Sequence, residues 1–468
     1  MGELDIRIEG QSVDLLPEAT LGLKLSNPHF DFERISSPTA TLPGFPLTRT
    51  NQRIFGYWEQ PQTGAMLGRR RLEHYYNGQL MQEGQFVLTE AGPGGYNGQF
   101  VQALGEFFGD WQNRPLSDLP LGTLPMPGVV PATGLTDSGQ TAVVFPTILN
   151  PDFFGTNGAG ISYGGRMNPF TGGAYQPGNG PLVPMMLLRW LLGRIALATN
   201  TIIDGAFLTH PAYSQLLLYN TRALDGANAV TLNRHLPDLT VAELVLELRK
   251  LFCLQLDIDP VNRRLTLGFF QTALAGGNVL DWSTKLGGGI QKTPETNTRL
   301  RLASDLDSGD AGMKDKPAAL AGYDSAGTGG FATVKSRFST LLMDAGTGLP
   351  RTAQPGVTAQ FGQAGNTFGP RLLFWNPTSG TPAATNLLNG FGLFWGGAGG
   401  LALNHWAEME AMRRGQFWVK APLNLTETDL AGLRWHRKVY VAGVTYFVIS
   451  VDVTLPIRKP ATVLLLAA

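Results

Sequence analysis

Residues 235–267 have the sequence HLPDLTVAELVLELRKLFCLQLDIDPVNRRLTL, which decides the fold of the middle of this chain. Thr240 is a good helix cap, and Glu243 follows three residues later, as a capping box requires. The apolar residues recur at helical spacing and form one stripe: Val241, Leu244, Val245, Leu248, Leu251 and Phe252. This spacing predicts an amphipathic helix.

The residues after this helix change to the alternation of a β-strand. Residues 254–258 and 265–267 alternate in hydrophobicity, and Asp259-Pro260-Val261-Asn262 between them favours a turn. The whole stretch therefore predicts a helix that packs on a tight hairpin. It contains no catalytic constellation, so what it indicates is architecture.

Composition narrows the class of protein. Only 15% of the 468 residues are charged, against about 25% in typical soluble domains. The 36 basic residues cancel the 36 acidic ones, which argues against tight nucleic-acid binding because that affinity comes from clustered Lys and Arg. A weakly charged surface also gives little protection against self-association, so we expect much of it to be buried against partners. A monomer with a surface rich in Thr, Asn and Gln is the alternative.

The single cysteine and the apolar runs bear on where in the cell we expect the protein to be. Cys253 lies on the predicted helix without a disulfide partner in the chain, and we interpret it as a buried structural thiol. Residues 1–9 alternate like a strand and do not form the apolar core of a signal peptide. The most apolar run, residues 181–198, contains Arg189 and Arg194 and is a poor membrane span. We expect synthesis in the cytoplasm and no membrane anchor.

Periodic and glycine-rich segments alternate along the chain and predict four parts. These are an N-terminal β domain at residues 1–115, a Gly/Pro-rich insertion at 116–181, an α/β domain at 182–275, and a C-terminal β domain at 276–468 with a Gly-rich insertion at about 308–400. Aromatic residues interleave with the glycines of both insertions. Because long structureless loops are rare in compact domains, we expect the first insertion to lie on another element or on a neighbouring subunit.

Two local patterns make further predictions within the β domains. Residues 97–111 place several apolar side chains on one side and predict a short helix. Residues 445–454 predict a strand with Phe447, Ile449, Val451 and Val453 on one face.

No pattern for catalysis, cofactor binding or metal binding stands out. His405 and Glu408 do not form an HExxH zinc motif. The other histidines considered as ligands are isolated along the chain: His74, His235 and His436. We therefore predict no catalytic, cofactor-binding or metal-binding residues and no enzyme activity. A pair of carboxylates brought together by the fold remains an open alternative.

Two clusters of charge have both a functional and a structural interpretation. The densest acidic segment, with Asp305, Asp307, Asp310 and Asp315, has the spacing of a cation loop but lacks its bidentate glutamate. A solvated turn is the favoured interpretation. The basic cluster Arg69-Arg70-Arg71 is more typical of surface charge or salt bridges than of nucleic-acid contact.

Three groups of sequence segments follow one another along the chain and together suggest a known class of protein. The first contains NPHFDFER at 27–34 and FPLTRTNQRIFGY at 45–57. The second contains PMMLLRWLLGRIALATNTIIDGAF at 184–207 followed by HLPDLTVAELVLELRKLFCLQLDID at 235–259. The third is KVYVAGVTYFVISVDVTLPIRKPATVLLLA at 438–467. In this order they resemble the hub or tail-tip structural proteins of tailed bacteriophages and related injection particles.

The resemblance implies a specific assembly. Such hubs form trimers in which each subunit carries two tube-like β-barrel domains, here residues 1–115 and parts of 276–468. Expected partners are further copies of the chain, the tail tube, distal tail proteins, and fibre or tip proteins. DNA would pass transiently through the channel without specific binding. The expected location is the virion tail, after assembly in the host cytoplasm.

The predicted fold class is mainly β with a smaller α/β unit, comprising two tube-like barrels, a helix-plus-hairpin middle domain and long Gly-rich insertions. The predicted function is a structural hub that links the tail tube to distal components and forms part of the DNA conduit. One alternative is a carbohydrate-binding or glycan-cleaving β protein that stacks sugars on Trp375, Trp395 and Trp406. Another is a distal-tail adaptor or fibre-base protein.

Overall fold

The computed structural model describes ten stretches of the chain. They are residues 4–35, 38–64, 68–101, 107–152, 165–224, 226–259, 262–277, 279–354, 368–376 and 381–468. The architecture is mainly β, with 38% strand and 19% helix, as predicted. Within these stretches every sheet keeps free edges, so closed barrels are not observed. None of the helices described is long and apolar enough to cross a membrane.

The largest sheet, here called the terminal sheet, joins segments from both ends of the chain. Its eight strands are Leu21–Ser26, Thr39–Thr41, Val279–Asp281, Gln291–Pro294, Phe417–Leu423, Lys438–Val441, Val444–Leu455 and Ala461–Ala467. Strand Leu21–Ser26 lies in the predicted N-terminal domain, but it pairs antiparallel with Val444–Leu455. The two predicted β domains therefore share a sheet.

The predicted single apolar face of residues 445–454 is wrong. Val444–Leu455 contains a bulge between Val448 and Ser450 where it pairs with the last strand. Because a bulge inserts one residue, it reverses the side on which later side chains lie. Val448 and Val451 consequently enter the same core, while Phe447 packs in a different one.

A second sheet, the N-terminal sheet, has its own small core. Its strands are Leu4–Ile8, Gln11–Ser12, Arg70–Tyr76, Gln79–Gly92 and Gly95–Val101, and helix Arg49–Ile54 accompanies them. The core is aromatic, with buried Phe45, Phe55, Phe86 and Tyr96. Asn77-Gly78, a dipeptide typical of tight hairpin turns, has φ angles of 49° and 75°, as such a turn requires.

The helix predicted at 97–111 is wrong. Gly95–Val101 is a strand that pairs with Gln79–Gly92 and sets Phe100 opposite Phe86. A short 3-10 turn follows at Gly109–Trp111, and residues 102–106 lie outside the described residues.

The helix and hairpin predicted from 235–267 are confirmed. Helix Val241–Phe252 begins with the capping box of Thr240 and Glu243, and ends at Cys253 in the left-handed conformation with φ of 47°. Strands Leu254–Asp259 and Arg264–Phe269 form the hairpin, and Ile202–Asp204 adds to it in parallel. Residues 260–261 of the turn lie outside the described residues, but the Asn262 backbone N–H donates to the Asp259 carboxylate at 3.0 Å.

Both Gly-rich insertions supply strands to a sheet in the middle of the molecule, here called the central sheet. Its strands are Leu135–Asp137, Gln140–Val144, Met185–Leu187, Leu216–Leu218, Leu372–Asn376 and Ala383–Thr385. Helix Leu188–Thr199 packs on this sheet. The apolar residues of insertions, central sheet and helix–hairpin form one continuous core. The expectation that the first insertion lies on another element is confirmed for its described residues.

Smaller elements complete the fold. The remaining strands are Thr123–Pro125 with Ala229–Thr231; Ile148–Leu149 with Arg166–Met167, Leu342–Met343 and Pro350–Arg351; Phe170–Thr171 with Ala174–Tyr175; Arg299–Ser304 with Tyr323–Asp324 and Phe331–Ser336; and Leu387–Leu388 with Phe391–Gly392. The remaining helices are Ala206–Thr209, Phe270–Ala275, Ala311–Lys314, Ala407–Arg413 and Glu427–Ala431, with a π-helix at Ala402–Trp406. Further 3-10 turns are Leu116–Asp118, Tyr213–Gln215, Leu232–His235, Ser283–Lys285 and Ala318–Leu320.

Residues 27–33, here called the strap, join the terminal sheet to the helix–hairpin. The Asn27 side-chain amide donates to the Val448 carbonyl at 2.7 Å. Arg249 of helix Val241–Phe252 donates to the Pro28 carbonyl at 2.6 Å. The Phe30 ring lies between Phe270 and Phe447, with centroid distances of 5.2 and 5.4 Å. The strap therefore holds two parts of the protein together.

Candidate functional site

The acidic segment singled out in the sequence binds a guanidinium group. Asp307 and Asp310 accept hydrogen bonds from the two terminal nitrogens of Arg371, at 2.6 and 2.7 Å. The Arg371 side chain is fully buried and Asp310 almost so. Of the other two acids, Asp305 pairs with Lys335 and Asp315 is exposed. The favoured interpretation of a solvated turn is therefore wrong for Asp307 and Asp310.

The positive charge of Arg371 and the negative charges of Asp307 and Asp310 stabilise one another in the ionised form. Burial opposes ionisation of Asp307, but the backbone N–H of Gly369 and the charge of Arg371 outweigh it and hold the pKa of this carboxyl below its usual range. Asp310 also accepts from the Thr352 hydroxyl at 2.5 Å. A buried ion pair satisfied in this way is costly to break, because the remaining partner would be an uncompensated charge.

The same network connects the two insertions. Gln354, beside Arg371, donates to Asp307 at 2.8 Å. Its backbone exchanges hydrogen bonds with the side chain of Asn150 at 2.8 and 3.1 Å. Leu149 pairs with Arg351 in a parallel bridge. The cluster therefore has a structural role, and Arg371 and Asn150 were missed because neither lies near the acids in sequence.

The basic cluster at Arg69-Arg70-Arg71 is engaged within the protein. The Arg70 guanidinium donates to the Ile54 carbonyl. Arg71 bridges Glu73 and Glu83, each at 2.7 Å. This agrees with the interpretation of these residues as salt-bridge and surface charge.

The three tryptophans proposed as sugar platforms are buried. Trp375, Trp395 and Trp406 are 4%, 3% and 1% exposed. Trp406 packs against Phe32 of the strap with ring centroids 4.8 Å apart. The expectation that these rings are free to stack on a saccharide is wrong, because they fill the central core.

Most of the candidate histidines are buried in apolar surroundings. Burial lowers the pKa of His74, His235 and His405 to about 3, so all three are neutral at pH 7. His405 Nε2 shares a hydrogen bond of 2.5 Å with the Tyr213 hydroxyl. In the ten described stretches, no three His, Cys, Asp or Glu side chains are placed to hold a metal ion. Cys253 is buried as predicted, and burial raises the pKa of its thiol.

An open cleft of about 560 Å³ lies beside the strap. Its wall contains His29, Asp257, Arg264, Trp435 and His436. His29 Nε2 lies 3.4 Å from Asp257 Oδ1. Burial lowers the pKa of His29, so its ring faces the carboxylate in the neutral form. The mixture of charges in this cleft does not single out one class of ligand.

A smaller pocket of about 170 Å³ opens at the edge of the terminal sheet. It lies beside strand Val279–Asp281, and Leu280 and Trp282 form part of its wall. Val279, Leu280 and Tyr440 are exposed at this edge, at 42%, 37% and 38%. An exposed strand edge with apolar side chains is a typical site of association with another chain.

Comparison with known proteins reveals only distant similarity. No protein-family model and no curated protein sequence matches this chain. A 43 kDa tail protein of prophage MuSo2 from Shewanella oneidensis is similar over 99% of this chain and 96% of its own, with 8% identity and a TM-score of 0.41. A tail protein from Neisseria meningitidis MC58 covers 100% and 96%, with 8% identity and a TM-score of 0.38. The prophage tail protein gp18 from Listeria monocytogenes EGD-e covers 99% and 93%, with 8% identity and a TM-score of 0.36.

Proposed function

We propose that this chain is a structural protein of the tail of a bacteriophage or related injection particle, and that it forms the hub of the tail tip or baseplate. The observation that carries the proposal is that the three groups of sequence segments contact one another in the folded protein. The strap belongs to the first group. Its Asn27 side-chain amide donates a hydrogen bond to the Val448 carbonyl in the third group, and its Pro28 carbonyl accepts one from Arg249 in the second group. The residues that resemble a tail hub thus form one connected unit.

Low charge is consistent with this role. A lumen rich in Lys and Arg would hold phosphate groups and slow the passage of DNA, whereas this chain has no net charge. The function is geometric: strand edges and exposed apolar side chains bury surface between copies of the chain and against other tail proteins. A role without bond-making chemistry is part of the proposal.

The test is to locate the chain and count its copies. Native mass spectrometry of the purified protein should give a trimer of 50.4 kDa subunits. Antibody labelling and negative-stain imaging of particles should place the chain at the distal end of the tail. Six copies per tail would instead indicate a distal-tail adaptor. A strictly monomeric chain that is absent from particles would contradict a tail role.

A further inference from the structure

We propose that the strap is an acid-sensitive clasp: when His29 takes up a proton, the strap detaches from the hairpin and loosens the joint between the helix–hairpin and the terminal sheet. Such a clasp goes beyond the proposed function, because it is a property of the single folded chain. Its failure would leave the tail role untouched, and a chain absent from tails would leave the clasp untouched.

The first support is that the strap bridges an open space. The cleft of about 560 Å³ beside it is lined by residues of the hairpin strands and by residues 433–436. The Asn27 side-chain amide donates to the Trp435 carbonyl at 3.1 Å, and His29 Nε2 lies 3.4 Å from Asp257 Oδ1 of the hairpin. The Asp257 side chain is 45% exposed. Solvent therefore reaches the place where the strap meets the hairpin.

The second support is a buried charge that the closed strap leaves poorly satisfied. The Arg249 side chain is fully buried and lies over the Phe32 ring at 4.9 Å. One terminal nitrogen donates to the Pro28 carbonyl, but Nε and the other terminal nitrogen have no hydrogen-bond partner among the described residues. Burial lowers the pKa of Arg249 to about 10, so the group is still charged at pH 7. Because an unpaired buried charge is costly, its hydration favours the open strap.

His29 is the second group that closure leaves unsatisfied. Its side chain is 2% exposed, and its Nδ1 has no hydrogen-bond partner in the part of the chain that the structure describes. The ring packs against Phe270, with centroids 5.5 Å apart. A proton on Nδ1 would place a positive charge at this unpartnered atom, whereas water would solvate the same charge in the open strap.

The surroundings of His29 determine the direction of the pH dependence. Burial lowers its pKa although Asp257 favours the protonated form, and Arg249 and His436 oppose protonation further. Other charged side chains that line the cleft are Asp259, Arg264 and Arg434. In the open strap the pKa of His29 returns towards 6.5, so the open form binds the proton more tightly. Closure is therefore strongest above pH 6.5 and weakens as the pH falls below that value.

Amide hydrogen exchange of the full-length chain, followed by mass spectrometry of peptides that span residues 27–33, measures the opening. In the closed strap the Asn27 N–H donates to the Ile449 carbonyl at 2.7 Å, and the His29 N–H donates to the Asn27 side chain at 2.9 Å. After correction for the intrinsic exchange rate, protection of these amides should fall about tenfold between pH 7.5 and 5.5. Strand Leu216–Leu218 of the central sheet is the reference, because its amides report opening of the main core.

Two variants separate the clasp from general acid sensitivity. His29→Phe keeps a ring against Phe270 but cannot take up a proton, so the strap should lose its tenfold pH dependence while the reference strand behaves as in the wild type. His74→Leu removes a buried histidine of the N-terminal sheet, and the strap should keep its full pH dependence. If His29→Phe does not fold, His29→Gln provides the same test, because a neutral amide also removes the titration.

Two results would overturn the inference. The first is a strap with the same pH dependence in the wild type and in the His29 variants. The second is strap protection that stays constant or rises in acid, which would mean that protonated His29 and Asp257 hold the strap closed.

Discussion

At the scale of single residues, Arg371 is the side chain that holds the acidic cluster together. It is fully buried, balances Asp307 and Asp310, and lies over the Tyr219 ring at 4.9 Å. The acids could be picked out from the sequence by their density, but their partner could not. Arg371 follows Asp310 by 61 positions, and only the folded sheets bring them together.

Removing Arg371 should destabilise the protein severely. We expect Arg371→Ala to lower the free energy of unfolding by about 3–5 kcal/mol, because two carboxylates would remain buried without a cation. Urea denaturation at pH 7 measures the change. Asp315→Asn is the matched control in the same acidic segment, and as an exposed position it should change stability by less than about 0.5 kcal/mol. A similar loss in both variants would contradict the role given to Arg371.

Three buried histidines should make the protein sensitive to mild acid. Their folded pKa values are about 3, below the unfolded value of 6.5, so the unfolded chain binds protons that the folded chain does not. Stability is therefore complete above pH 6.5 and falls as the pH decreases from there towards 3. At pH 5 the loss should approach about 2 kcal/mol per histidine.

Denaturation midpoints measured between pH 7.5 and 5 test this dependence. His74→Leu should make the pH profile shallower, because His74 is fully buried beside Phe100, with ring centroids 4.9 Å apart. Gln79→Leu, at an exposed position without a titrating side chain, should leave the profile unchanged. Parallel profiles for the wild type and His74→Leu would contradict the assignment of the pH dependence to the buried histidines.

At the scale of elements, local signals were reliable where the stabilising contacts are local. The capping box at Thr240 and Glu243, the Asn77-Gly78 turn and the helix–hairpin were all predictable, because each depends on neighbours in sequence. The helix predicted at 97–111 failed because the partner of Gly95–Val101 is a separate strand, Gln79–Gly92. The single apolar face of 445–454 failed because a bulge has no clear signature in one sequence.

The capping box offers a direct measurement. Thr240→Ala removes the side-chain oxygen that accepts from the Glu243 backbone N–H at 3.2 Å, and should cost about 1 kcal/mol of unfolding free energy. Thr240→Ser retains the hydroxyl and should restore most of that stability. Thermal denaturation of the two variants side by side would show it, and equal midpoints would mean that the cap contributes nothing.

At the scale of the whole molecule, the arrangement of the insertions could not be predicted from the sequence. Leu372–Asn376 of the second insertion pairs with Leu216–Leu218, and Leu149 of the first insertion pairs with Arg351. Such contacts join segments that are far apart along the chain, and neither segment carries a pattern that identifies the other. Sequence reasoning found both glycine-rich segments and predicted that the first packs on another surface, but it could not identify that surface.

The strap should control how firmly the terminal sheet is held to the rest of the protein. Phe30→Ala removes a ring packed between Phe270 and Phe447, and should cost about 1–3 kcal/mol while increasing amide exchange at Val444–Leu455. Arg34→Ala is the control just beyond the strap, because the Arg34 side chain is 81% exposed. Unchanged exchange in Phe30→Ala would show that the sheet is held by other contacts.

The pairing of Leu21–Ser26 with Val444–Leu455 also determines when a newly made chain can complete its largest sheet. During translation, the edge of Leu21–Ser26 that pairs with Val444–Leu455 has no partner until more than four hundred further residues have been synthesised. A polypeptide interrupted before the late strand lacks the partner that completes this sheet, so truncated chains should fold less stably than the full-length protein.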